Sequence, residues 1–178
     1  MTAQDRSRWD ERHRAREPQP IGPPAVFAEF VDHFPSSGHA LELACGSGSV
    51  AVWLARRGLH VAAVDVSPVA VADAERLAET QGVADRCRFG VVDLDDGLPD
   101  GPPVDVLLCQ RFRDARLDRD VLARVAPGGV LAVTALSEVG AQPGQFRAEA
   151  GELTRAFGSL DGITAGERDG LAWLLARG

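Results

Sequence analysis

The stretch Ala40 to Gly58, ALELACGSGSVAVWLARRG, reads as a strand, a glycine loop and a helix in immediate succession. Ala40, Leu41 and Leu43 form an apolar run of strand length that stops where Gly46, Ser47 and Gly48 begin. Val50, Ala51, Leu54 and Ala55 then recur at helical spacing with Trp53 beside them, and Gly58 has the place of a left-handed C-cap. The helix therefore starts on the glycines. Its first backbone N–H groups have no partner inside the helix and face the loop, an arrangement suited to a carboxylate or phosphate. A glycine pair alone also makes an ordinary tight turn, so its neighbourhood decides.

The next apolar run, His60 to Val64, ends in Asp65 and Val66, with Ser67 and Pro68 as N-cap and first residue of another helix. An acid at the tip of a second strand can accept hydrogen bonds from both hydroxyls of a ribose. Two nucleoside-type cofactors fit so far. The spacing of Gly46, Gly48 and Ala51 suits the dinucleotide fingerprint GxGxxG/A, but Glu42 inside the strand is foreign to it.

These residues resemble the class I S-adenosylmethionine-dependent methyltransferases, whose first motif, (D/E)xGxGxG, stands here as Glu42, Ala44, Gly46 and Gly48. Ala44 and Val50 occupy places where a stricter match carries glycine or a small residue. The resemblance implies a single α/β domain with a Rossmann-like, doubly wound, mostly parallel seven-stranded sheet whose last strand is antiparallel. It also implies S-adenosylmethionine as cofactor and S-adenosylhomocysteine as product. Gly46 and Gly48, with Ala44, would admit the methionine portion, Asp65 and Val66 the ribose, and Glu42 would orient the loop.

Further along, Val69 to Gln81 has helical periodicity stopped by Gly82, and Arg86 to Val92 is a third strand leading into Asp93 and Leu94. In the resembled family an acid after the third strand bonds the adenine amine while the next residue packs on the ring, roles that fall to Asp93 and Leu94. Val104 to Cys109 is a fourth strand with Gln110, Arg111 and Phe112 at its carboxyl end, where ligands lie in open α/β sheets. Arg111 and Arg113 stand closest to that end and suggest a small anionic acceptor held by guanidinium. Arg116 and Arg119, interleaved with Asp114, Asp118 and Asp120, read as a solvated, ion-paired helix face. Leu117 to Ala126 is expected to be helical. Pro127, Gly128 and Gly129 then turn into a fifth strand, Val130 to Leu136. A loop from Ser137 to Gln145, a helix from Glu149 to Phe157 and two short strands, Leu160 to Arg168 and Leu171 to Ala176, complete the chain.

At 178 residues the chain suits one domain with a sizeable core, too short for the further substrate domain of a dehydrogenase. Net charge is −7, which repels nucleic acid and anionic membrane, so neither is an expected partner. All basic residues except the histidines are Arg, and the chain has no Tyr. With the abundance of Ala, Gly and Val, this reads as the codon bias of a GC-rich bacterial genome. Cys45, Cys87 and Cys109 form no CxxC pair and read as free buried thiols. The N-terminus has no apolar stretch and no later run approaches membrane-spanning length, which points to the cytoplasm.

Residues 1–17 are charged, with Trp9 the large apolar side chain among them, and read as a fraying helix; residues 18–178 form the cofactor domain. In the resembled family a WDxR-like opening folds across the cofactor mouth, which would make Trp9, Arg12 and His13 parts of a lid. Pro18 to Pro24 reads as a linker, and Val26, Phe27, Phe30, Val31 and Phe34 as one face of a packing helix. The opening, VVDL after the third strand, GEL before the last helix and the terminal LLAR look like the small tellurite-resistance-type methyltransferases, though the basic and histidine residues of their last hairpin are missing. The expected reaction is methyl transfer to a small-molecule acceptor, with His13 and Arg111 as candidate catalytic groups and no metal constellation in sight. Two rivals stay open: a nicotinamide-dependent enzyme, and a non-catalytic module that binds S-adenosylmethionine or S-adenosylhomocysteine.

Overall fold

A computed structural model describes residues 3–15, 19–142, 144 and 147–178, with the side chains of the first helix described from residue 9. Pro18 of the expected linker, and Gln145 and Phe146 at the expected loop-to-helix junction, lie outside the described residues.

The opening stretch folds as its pattern predicts: β1 (His39–Leu43), a glycine loop, and α2 (Ser49–Arg56), preceded by α1 (Ala3–Arg14). Gly58 has φ +112°, and a Cβ there would meet the Ser36 carbonyl oxygen at 2.3 Å, so glycine is required on steric grounds at this helix end. β2 (His60–Asp65) leads into α3 (Pro68–Thr80), whose N-cap Ser67 accepts from the Ala70 N–H with Pro68 in the first turn. Then follow β3 (Cys87–Val91), β4 (Val104–Gln110), α4 (Asp118–Arg124), β5 (Val125–Ser137), β6 (Arg147–Ala148), α5 (Glu152–Phe157), β7 (Asp161–Arg168) and β8 (Leu171–Arg177).

The sheet order is β3-β2-β1-β4-β5-β8-β7, with two-residue β6 paired alongside the end of β5. β8 runs antiparallel to both its neighbours and the remaining pairings are parallel. Among the described residues the sheet is therefore eight-stranded rather than seven-stranded, because Arg147–Ala148, just ahead of the expected last helix, pairs with the end of β5. Side chains alternate between its two faces. Leu41, Leu43, Leu107, Cys109, Leu131 and Val133 pack on one face toward Leu117, Val121, Leu153 and Phe157. Ala40, Val106, Leu108, Val130 and Ala132 pack on the other toward Val50, Leu54, Phe27 and Phe34.

Three local expectations are corrected. Ala25–His33 is a pair of 3-10 turns kinked at Phe30, not a continuous α-helix, and both Phe27 and Phe34 reach the core from it. Pro127, Gly128 and Gly129 do not precede the fifth strand but interrupt it: Val104 pairs with Val125 and Val106 with Val130, so four residues bulge out between them. The last helix is confined to Glu152–Phe157, starting from Gly151 at φ +71°. Among the described residues no helix is long and apolar enough to cross a membrane.

Candidate functional site

The carboxyl ends of β1, β2 and β4 carry the residues singled out in the sequence. Ala44 and Gly46 have left-handed φ of +53° and +54°, and Gly48, the N-cap of α2, has +76°. The two glycines serve different ends. A Cβ on Gly48 would lie 2.6 Å from the Ala74 Cβ, so Gly48 lets α2 pack against α3. Among the described residues, a Cβ on Gly46 would meet the His13 ring of α1 at 3.5 Å, so α1 lies against that side of the loop.

Asp65 holds the loop in place and is 6% exposed. Its Oδ2 accepts from the Gly46 N–H at 2.8 Å and its Oδ1 from the Ser67 N–H at 3.0 Å. Each carboxylate oxygen keeps a further acceptor site, which two ribose hydroxyls could fill. Val66 beside it is half-buried. Ser67 also donates to the Asp10 carboxylate, and this bond ties α1 to the start of α3. Asp10 and Ser67 were not singled out in the sequence; Ser67 was read as a cap alone, and the alternating charges of the first helix do not distinguish Asp10 from its neighbours. Arg12 stacks over Trp9, 5.0 Å from the ring centroid, on the exposed side.

Glu42 is 1% exposed, on the sheet face that α2 covers. The Ala51 N–H donates to its carboxyl, but among the described residues Oε2 has no hydrogen-bond partner. Burial, reinforced by the nearby Asp65 charge, pushes its pKa up from 4.5 to about 8 against the lowering effect of the Ala51 bond.

Asp93 caps a short 3-10 turn, its Oδ1 accepting from the Asp95 N–H at 3.0 Å. Leu94 is 6% exposed and belongs to the same core cluster as Leu43 and Leu117. Gln110 ends β4, half-buried and in register with Thr134. Arg111 follows at φ +56°, exposed, with its N–H donating to the Thr134 Oγ1 at 3.0 Å.

Arg113 is corrected. Its side chain is 8% exposed, bound to Asp118 and Glu152 and lying over the Phe157 ring, so it braces α4 and α5 rather than facing an acceptor. Arg116 is solvated and ion-paired as expected, with Asp114 of the interleaved acids and with Asp95 from the turn after β3. The Cys45 and Cys109 thiols are buried, and burial pushes Cys109 up to about 12, so neither is a nucleophile near neutral pH.

A glycine loop on a helix N-terminus, bonded to the acid at the tip of β2 and with a second acid following β3, on a doubly wound sheet with one reversed strand, has the form of a nucleoside-cofactor domain of the methyltransferase type. The chain belongs to the methyltransferase domain family, whose model matches residues 40–129. S-adenosylmethionine is the methyl donor this family implies. The buried Glu42 oxygen without a partner among the described residues, under a loop that carries no side chain at Gly46 and Gly48, fits such a group.

The chain is 36% identical over 107 residues to ribosomal RNA small subunit methyltransferase C of Chromohalobacter salexigens, covering 57% of this chain and 32% of the relative. It spans about a third to two fifths of the length of the curated relatives it matches. Among solved structures it resembles TehB from Haemophilus influenzae, with TM-score 0.74 and 15% identity over 87% of this chain and 62% of that one. It also resembles geranyl diphosphate C-methyltransferase from Streptomyces coelicolor A3(2), solved with Mg2+, geranyl diphosphate and S-adenosyl-L-homocysteine, with TM-score 0.71 and 17% identity over 98% and 96%. At these identities the structural likeness speaks for the fold.

Proposed function

We propose that the chain transfers the methyl group of S-adenosylmethionine to a small-molecule acceptor. The observation that carries this is the Asp65 carboxylate, bonded to the Gly46 N–H of the glycine loop, with acceptor sites left over for a ribose. In this reading Ala44, Gly46 and Gly48 receive the methionine portion, Asp65 and Val66 the ribose, Asp93 the adenine amine, and Leu94 and Gln110 border the base. The sulfonium methyl arrives already activated, so the protein's task is to orient the acceptor at near-attack distance and exclude water. Residues 1–17 act as the lid over residues 18–178, with Trp9, Arg12 and His13 on the cofactor side; the His13 ring beside Gly46 supports this. His13 is also the candidate base for an acceptor that must lose a proton.

With Arg113 committed to Asp118 and Glu152, Arg111 is left as the guanidinium of that pair able to meet an anionic acceptor. The net charge of −7 argues against a nucleic-acid acceptor. Calorimetric titration with S-adenosylmethionine, S-adenosylhomocysteine and nicotinamide dinucleotides tests the cofactor, and Asp65→Ala is expected to weaken S-adenosylhomocysteine binding by about 1–3 kcal/mol. Binding of a nicotinamide dinucleotide alone would overturn the reading. Cofactor binding without turnover on any small acceptor would leave a binding module.

A further inference from the structure

Two carboxyls lie under the glycine loop in unlike surroundings. Asp65 accepts a backbone N–H on each oxygen, the arrangement a carboxylate anion favours. Glu42, 1% exposed, has the Ala51 N–H and an Oε2 with no partner among the described residues. An ionised carboxylate with so few donors in an apolar interior, beside a second acid, is much less stable than the neutral acid. The other titratable groups that act on or around Glu42 are Cys45 on the loop, Cys87 on β3 and Cys109 on β4, thiols that burial pushes up. None of these three supplies a positive charge, and the basic side chain described against the loop is His13 of α1, beside Gly46.

We propose that Glu42 links cofactor binding to proton release: its carboxyl is protonated in the free protein and ionises when the cationic methionine end of S-adenosylmethionine settles on the loop. The inference rests on the cofactor reading above. The O–H bond of the carboxyl breaks, the proton goes to solvent and the electron pair stays on Glu42, whose new charge lies at the N-terminus of α2, where the helix dipole favours an anion. S-adenosylmethionine carries a sulfonium and an ammonium against one carboxylate, whereas S-adenosylhomocysteine lacks the sulfonium. Glu42 thereby favours the charged donor over the spent product once its carboxyl is ionised, an advantage that fades as pH falls below about 8 and the proton becomes harder to displace. It acts as a positioning residue that senses the cofactor's charge without touching the transferred methyl.

The test is isothermal titration of both ligands into wild type and Glu42→Gln, from about pH 6 to about pH 9, in buffers of differing ionisation enthalpy. Relative to the variant, wild-type affinity for S-adenosylmethionine is expected to rise by up to about tenfold per pH unit until about pH 8 and then level off, with excess proton release approaching one per site. The same excess should be smaller for S-adenosylhomocysteine. Parallel affinity profiles and equal proton counts in the two proteins would overturn the link while leaving the cofactor reading standing. No binding of either ligand at any pH would overturn the cofactor reading itself. Should Glu42→Gln not fold, infrared difference spectra of wild type near neutral pH decide the matter. Loss of a protonated-carboxyl band on adding S-adenosylmethionine is expected, and its persistence is the contrary result.

Discussion

Glu42 shows how one buried side chain sets a property of the whole protein. Its pKa is about 8 in the folded chain against 4.5 ordinarily, so between those values the folded form holds a proton that the unfolded form has released. Stability from this group therefore falls as pH rises from about 4.5 to about 8 and is indifferent to pH outside that window. Glu42→Gln, neutral throughout, is expected to gain on wild type across the window, with a ceiling of about 5 kcal/mol; urea melts near pH 5 and pH 8 read the difference. Equal shifts at both pH values would show that the carboxyl is already charged at the lower one. Ala44 offers a second residue-scale test. It adopts φ +53° where the family motif carries glycine, and Ala44→Gly is expected to raise the unfolding free energy by about 0.5–1 kcal/mol, the relief of left-handed strain less the entropy of a freer unfolded chain.

At the scale of elements, the arginines after β4 divide into two kinds that look alike in sequence. Arg113 joins α4 to α5 through Asp118 and Glu152, with its side chain 8% exposed. Arg113→Ala leaves both acids partly buried without their cation and is expected to cost about 2–4 kcal/mol in a chemical melt. Arg116, two-thirds exposed, joins the turn after β3 to the turn after β4, and its removal should leave the melting temperature nearly unchanged. Similar losses from both substitutions would contradict this division. α1 is held to the domain through Asp10 and Ser67 and through its packing on α3, outside both halves of the core. Deleting residues 1–17 is therefore expected to preserve cooperative unfolding while weakening S-adenosylhomocysteine binding and turnover. A deletion variant that binds and turns over as well as wild type would end the lid.

For the molecule as a whole, sequence and fold agree wherever the pattern is local. The strand, loop and helix of residues 40–58, the acid ending β2 and the Ser67-Pro68 helix start are each written in a few adjacent residues, because periodicity, capping and glycine conformation act over one or two turns of chain. The class of fold followed from those pieces taken in order, and the cofactor from the family they resemble. The eighth strand, the bulge at Pro127 to Gly129 and the kinked turns at Phe30 were not legible, since each depends on what a distant strand or core residue offers it. Arg113 reads like its neighbours until folding brings Glu152, 39 residues away, within 2.7 Å. By itself the sequence determined which residue types meet at the carboxyl edge of the sheet. Tertiary structure alone decided which of those charges are neutralised, which stay exposed and which, like Glu42, are buried deeply enough to hold a proton, because desolvation and long-range pairing exist only once the chain has packed.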